Sequence, residues 1–304
     1  MRIAIVGAGA LGLYYGALLQ RAQEDVHFLL RRDYKAISAH GLTVASINGD
    51  FHLPAVKGYT DSSAIGPVDL VLIGLKTFSN NQMNDLVAPL VDGRTTILTL
   101  QNGLGNEETL AQNFAPGQIM GGIAFLCANR GEPGTVQHLG QGAVRIGHYR
   151  GDRNETGTRI TEAFSRSGID CEYIDDLLKA RWEKLIWNIP FNGLCALTDR
   201  PVTELLGHPP TRQLVIDIMR EVAAAANSQT ISDPINTEPF IEKMIAATET
   251  MRGYRPSMMI DRQEGRPLEL ESIYRIPLQR AVEKGISTPS IRMLHALLDL
   301  DESR

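Results

Sequence analysis

Residues 2–12 read Arg2-Ile-Ala-Ile-Val-Gly7-Ala-Gly9-Ala-Leu-Gly12, and this stretch decides the fold. Ile3 to Val6 make a short apolar strand. Gly7, Gly9 and Gly12 follow at the G-x-G-x-x-G spacing, and Leu13–Leu19 is good helix material. Strand, glycine turn and helix in that order open a dinucleotide-binding βαβ unit. Gly7 allows the tight turn, Gly9 lets the backbone approach a pyrophosphate, and Gly12 lets the helix pack close to the strand. The anion rests on free N–H groups at the positive end of the helix, so the backbone of Ala8, Ala10 and Leu11 belongs to the same cradle.

The bulk numbers set the frame. A chain of 304 residues has room for two domains with sizeable cores. Hydrophobic residues make 43% and charged residues 21%, the balance of an ordinary globular protein. A net charge of −5 argues against a nucleic-acid or anionic-membrane partner. No apolar run approaches the roughly 20 residues that span a bilayer. The N-terminal apolar stretch has no cleavage signature and reads as a strand, not a signal peptide. Cys127, Cys171 and Cys195 are odd in number and far apart. They match neither a disulfide framework nor a zinc pattern, so no metal site and a reducing, cytoplasmic location are expected.

The first half alternates strands and helices. Strands are expected over Asp25–Leu30, Asp69–Leu75, Thr95–Leu100 and Ile119–Ala124. Val136–His138 and Val144–His148 flank Gly140-Gln-Gly142 and predict an edge hairpin. A helix near 155–167 and a strand at Cys171–Ile174 complete the sheet. From Asp176 onward helical patterns take over, at 176–195, 210–229, 237–250, 257–263, 268–284 and 289–301. Prolines at 209, 210, 234, 256, 267 and 289 punctuate them. The expected class is α/β: an N-terminal Rossmann-like doubly wound domain over 1–175, then an all-helical domain over 176–304.

The end of the second strand speaks to the cofactor. NAD sites place an acid there, about 20 residues past the glycines, whereas NADP sites place an arginine for the 2′-phosphate. Here the strand ends Leu30-Arg31-Arg32-Asp33. Arg31 stands at the acid's position, and a guanidinium matches phosphate geometry, so NADP(H) is expected. Asp33 also has an acceptable spacing, but it precedes Tyr-Lys-Ala-Ile and predicts a helix N-cap.

The most unusual spacing of the second half is Lys184, Asn188 and Asn192, at i, i+4 and i+8 on one helix face. Leu185, Ile186, Trp187, Ile189 and Phe191 lie between them. Buried amides and a buried amine need partners, which neighbouring helices or a polar ligand can supply. Pro190 predicts a kink, since it lacks an N–H and crowds the Ile186 carbonyl. A desolvated lysine can act as a general acid, and its ammonium stabilises the oxyanion that develops when hydride reaches a carbonyl carbon.

Taken together, the chain resembles the ketopantoate reductases (2-dehydropantoate 2-reductases), which use NADPH. The resemblance covers the whole chain. It rests on Gly7–Gly12, Arg31, Leu75-Lys76, Gln101-Asn102-Gly103-Leu104-Gly105, the Lys184…Asn188…Asn192 stripe, and Ser257-Met-Met-Ile-Asp261 followed by Glu269. It implies that Lys184 is proton donor and substrate anchor, and that Asn188 and Asn192 bind the substrate's hydroxyl and carboxylate ends. Ser257 is implied as a carboxylate-binding serine, and Glu269 as the acid near the nicotinamide ribose and the lysine. Lys76 and Asn102 match cofactor contacts, Asn102 also lying close to substrate, and Cys127 matches a further cofactor contact just past a strand. Glu269 is chosen over Glu271 because it lies 12 residues after Ser257.

The chain also departs from the pattern. Where some relatives carry a further substrate-contacting Asn it has Val202, and the family's usual proline after the second Asn is replaced by Pro190 before it. A small keto acid is the expected partner, bound in a cleft between the two domains, and pairing into a homodimer is expected of the helical domain. Two other readings stay open. One is a reductase of another small 2-keto acid. The other is a non-catalytic NADPH-binding regulator, against which the intact Lys184 and Glu269 argue.

Overall fold

The computed structural model describes residues 1–302. They form two compact units. One comprises Met1–Gln101 and Asn106–Leu177; the other comprises Asn102–Gly105 and the chain from Leu178 onward.

The first unit is a ten-stranded sheet. Its strands are β1 (Arg2–Val6), β2 (Asp25–Leu29), β3 (Leu42–Ser46), β4 (Phe51–Leu53), β5 (Lys57–Tyr59), β6 (Leu70–Ile73), β7 (Thr96–Thr99), β8 (Ile119–Arg130), β9 (Thr135–His148) and β10 (Cys171–Tyr173). The spatial order is β4-β3-β9-β8-β7-β6-β1-β2-β5, with β10 also on β9. From β5 to β8 every pairing is parallel. Five short helices serve this unit: α1 (Ala10–Arg21), α2 (Tyr34–His40), α3 (Met83–Val87), α4 (Asn106–Leu110) and α5 (Glu155–Arg166).

Strand alternation explains why both faces are covered. Ile3 and Ile5 of β1 join the cluster of Leu13, Leu19, Phe28 and Phe164. Ala4 and Val6 join the opposite cluster with Met83, Val87 and Leu110. Apolar residues at successive strand positions thus face two different layers, as in a doubly wound sheet.

Three expectations change. Val136–His138 and Val144–His148 are not a hairpin; both lie in β9, which pairs antiparallel with β8. The Gly140-Gln-Gly142 segment holds bulges instead. Gln141 and Gly142 take φ +59° and +128°, and the register slips between Phe125 and Leu126 and again between Cys127 and Ala128. Bulges and tight turns both recruit glycine and positive φ, so sequence alone confuses them. The actual turn is at 131–134, closed by Gly131 N–H donating to the Thr135 carbonyl at 3.0 Å. The long β9 also extends β8 to Arg130, so Cys127 lies within a strand and not past its end.

The third change concerns Asp33. It precedes α2 but makes no capping bond with its side chain. Its buried carboxylate pairs with Arg130 and accepts the Gly134 N–H at 3.1 Å. Asp33 thus ties α2 to the β8–β9 turn.

The second unit is helical: α6 (Leu177–Thr198), α7 (Val202–Gly207), α8 (Pro209–Asn227), α9 (Thr237–Glu249), α10 (Ser257–Gln263), α11 (Ile276–Glu283) and α12 (Pro289–Glu302). A π-turn at Glu271–Arg275 leads directly into α11. Its core gathers Trp182, Ile186, Phe191, Val202, Met219 and Tyr274.

Asp33→Ala strands the buried Gly134 N–H and leaves Arg130 unpaired. It is expected to lower the unfolding free energy by about 1–3 kcal/mol. Urea denaturation measures this, and an unchanged midpoint would show that the contact is not stabilising.

Candidate active site

In the first unit the carboxyl ends of β1 and β6 mark the point where strand order reverses, the usual ligand-binding crevice of such sheets. Gly7 has φ +95°, and a Cβ there would overlap the backbone of Gly74 and Leu75. Only glycine lets the β1 turn lie this close to the β6 turn. A Cβ at Gly12 would overlap the Gly7 carbonyl oxygen, so helix and turn are in backbone contact. Gly9 is different: it faces open space. Gly9 is also the N-cap of α1 and, having no side chain, leaves the first N–H groups free for an anion. Lys76 follows β6 and stands half-buried before a short 3₁₀ turn, Thr77–Gln82. Arg31, just past β2, is exposed and donates to Gln82 Oε1 at 2.9 Å. Cys127 is half-buried, opposite Gly140 on β9.

In the second unit α6 carries the polar stripe. The helix continues through Pro190, and the buried Tyr274 hydroxyl donates to the Ile189 carbonyl at 2.8 Å beside it. The carbonyl that Pro190 leaves without its helical donor is that of Ile186, one turn earlier. Lys184 Nζ donates to Asn102 Oδ1 at 2.7 Å. Asn188 and Asn192 are buried, at 6% and 2% exposure. No described residue hydrogen-bonds either side-chain amide, and neither is among the fully enclosed groups that lack a partner, so both amides stay open to a polar ligand. Trp187, between these polar residues, donates to Thr248 Oγ1 at 2.9 Å and packs against Phe191 and Tyr254, with ring centres 4.9 and 6.0 Å away.

Burial pulls the Lys184 ammonium down to about 7. The Arg181 guanidinium, one turn earlier on α6, pushes in the same direction, and Glu269 opposes both. Arg181 was not singled out in the sequence; its signal is the i−3 spacing from Lys184 inside an apolar helix. Glu269 is buried, whereas Glu271 is exposed and bonded to Arg275, which separates the two acids. Ser257 opens α10 with an exposed side chain that bonds no described residue. Val202 is fully buried in the helical core, its N–H donating to the Tyr254 carbonyl at 3.2 Å. It cannot form part of a ligand-facing wall. Cys171 and Cys195 are pushed up to about 12 by burial and are no nucleophiles.

The chemistry available is a proton donor near neutrality beside unpaired amides. Lys184 is expected to titrate near pH 7, charged below and neutral above. Glu269→Gln removes the opposing anion, so the titration should move to lower pH. NMR of labelled lysine side chains reads both; an ordinary lysine titration near pH 10.4, or an upward move in the variant, would contradict this electrostatic account.

The ketopantoate reductase PanE/ApbA family profile matches residues 3–151, and its C-terminal domain profile matches residues 176–302. A 2-dehydropantoate 2-reductase from Nostoc sp. is 42% identical over 306 aligned positions, covering 99% of this chain and 95% of that protein. The crystal structure of 2-dehydropantoate 2-reductase from Geobacter metallireducens superposes with a TM-score of 0.97 at 55% identity, covering 99% of both chains. A dimeric ketopantoate reductase from Staphylococcus aureus shares the fold at 21% identity, with a TM-score of 0.82, covering 100% of this chain and 99% of that one. The two profiles together span nearly the whole chain, and this chain belongs to the ketopantoate reductase family.

Proposed function

We propose that this chain reduces 2-dehydropantoate to (R)-pantoate with NADPH, the reductive step of pantothenate and coenzyme A biosynthesis. The observation that carries this reading is Lys184: an ammonium near neutral pKa, next to Asn102, on the same helix face as two amides that no described residue hydrogen-bonds.

Residues 1–175 act as the NADP-binding domain and 176–304 as the substrate domain. Open backbone at Gly9 and the uncapped start of α1 fit a pyrophosphate. Exposed Arg31 fits a 2′-phosphate. Asp33, the acid that would select NAD, is occupied by Arg130 and Gly134. The proposal assigns Gly7–Gly12, Arg31, Lys76 and Cys127 of the first unit, and Asn102 and Glu269 of the second, to cofactor contacts.

NADPH, when bound, supplies the hydride. As the keto carbon becomes tetrahedral its oxygen gains negative charge, which the Lys184 ammonium stabilises before giving up its proton. Glu269 favours the charged form of Lys184 beforehand. Asn188 and Asn192 bind the polar ends of the keto acid, with Ser257 on the carboxylate and Asn102 near the reacting group. Trp187 and Tyr254 offer the apolar wall that a quaternary carbon requires. No described helix is long and apolar enough to cross a membrane, and the three free thiols support a cytoplasmic location.

With Val202 in the core, the polar contact some relatives use at that position is missing. This favours a second reading, in which other small 2-keto acids are also accepted, because an unpaired buried polar group is what enforces discrimination. A panel of keto acids with NADPH and NADH, followed by cofactor absorbance, tests both. Ketopantoate with NADPH should give the highest kcat/KM, and Arg31→Asp should raise KM for NADPH far more than for NADH. Another keto acid at least about a hundredfold better, roughly 2.7 kcal/mol of transition-state preference, would select the second reading.

The helical domain also pairs two copies in this proposal. Along α12, Met293, Leu297 and Leu300 are exposed at i, i+4 and i+7. Arg292 precedes this stripe and Asp299 lies near its end, so antiparallel α12 helices place each arginine near the other copy's aspartate. Sedimentation should give a dimer that Leu297→Asp converts to monomer; a wild-type monomer would refute the pairing.

A further inference from the structure

The loop Asn102-Gly103-Leu104-Gly105 follows soon after strand β7 in sequence, yet it packs with the helical unit. Gly103 has φ +81°, and a Cβ there would overlap the Ser272 carbonyl. Leu104 N–H donates to that same carbonyl at 2.9 Å. Gly105 has φ +91° and lies against Ile276. Each contact falls on, or next to, the π-turn that begins two residues after Glu269.

The π-turn explains why the Ser272 carbonyl is available. In this turn the Ile276 N–H donates to Glu271, five residues back. The same register assigns Ser272 a donor from residue 277, which is Pro277 and has no N–H. Ser272 is buried, where a backbone carbonyl takes its donors from within the protein. Leu104 supplies one. Only glycine at 103 allows the loop this near, both for its left-handed backbone and for its missing Cβ.

We infer that Gly103 and Ser272 are positioning residues for proton transfer: the π-turn carbonyl clamps the loop so that the Asn102 carboxamide oxygen aims the Lys184 ammonium. Lys184 Nζ has its 2.7 Å bond to Asn102, the residue immediately before the clamp. Removing the clamp loosens Asn102, and Lys184 loses an acceptor that favours its charged form. The proton donor is then misaligned and also deprotonates at lower pH. The inference rests on the proton-donor role proposed for Lys184.

Gly103→Ala tests it. The kcat should fall by up to about a hundredfold, the scale of a 1 Å misplacement. The alkaline limb of the pH–kcat profile should shift to lower pH, while NADPH affinity measured by fluorescence without substrate stays within about threefold. A merely structural glycine lowers thermal stability without moving the limb, so full turnover or an unmoved limb overturns the inference. Should the variant not fold, hydrogen exchange on the wild-type protein still decides: a protected Leu104 amide supports the clamp, and exchange at an exposed-loop rate overturns it. Lys184→Ala separates the two levels. Near-full turnover there removes the proton-donor reading and this inference with it; an inactive Lys184→Ala beside an unperturbed Gly103→Ala removes this inference alone.

Discussion

A single ammonium group held out of bulk water organises the helical unit. Lys184 sits among Leu185, Ile186, Trp187 and Ile189, and its charge is disfavoured there by desolvation and by Arg181. Glu269 opposes this, and the Asn102 carboxamide oxygen accepts a hydrogen bond from the amine. The balance leaves the amine close to neutrality, where a general acid works best at physiological pH. Move any of the three and the balance moves. The placement of α6, of the segment carrying Glu269 and of the Asn102 loop is therefore one electrostatic problem with three structural parts.

The nucleotide unit answers to a different constraint, the close approach of backbone to backbone. Gly7 must clear Gly74 and Leu75, and Gly12 must clear Gly7. These contacts leave no room for side chains at the point where strand order reverses. The result is a patch of bare peptide groups at the positive end of α1, with Lys76 beyond β6. Polarity there comes from the backbone, whereas in the helical unit it comes from side chains on a helix face.

This contrast decides what was legible in the sequence. The β1 turn and the Lys-x3-Asn-x3-Asn stripe were plain, because each is a short-range pattern with one physical meaning. Where one signal has two meanings the reading failed: glycine with positive φ at 140–142 made bulges, not a turn. Asp33 had local cap spacing, but a partner 97 residues away, Arg130, won its carboxylate. Val202 stands where some relatives carry a substrate-contacting Asn, and its burial in the helical core depends on how α7 packs, which no local pattern shows. Strands β3, β4 and β5 carry no apolar run long enough to announce themselves. The joining of Asn102–Gly105 to the helices was invisible for the same reason as the Asp33 pair. Contacts between distant segments leave no local pattern, and Pro277 acquires its meaning only once a π-turn precedes it.

Asn188 and Asn192 carry the most informative polarity of the helical unit. Both residues are largely buried, yet no described residue hydrogen-bonds their amides. A ligand that covers these amides without pairing them would leave them buried and unsatisfied, at a cost of about 1–3 kcal/mol each. That cost falls on the wrong ligand and is the source of discrimination. Tyr274 bonds the α6 backbone at Ile189, between the two amides, so the helix that carries them is held at that point by a buried hydroxyl. Stability is supplied by the core behind the stripe, which leaves the stripe itself to the substrate.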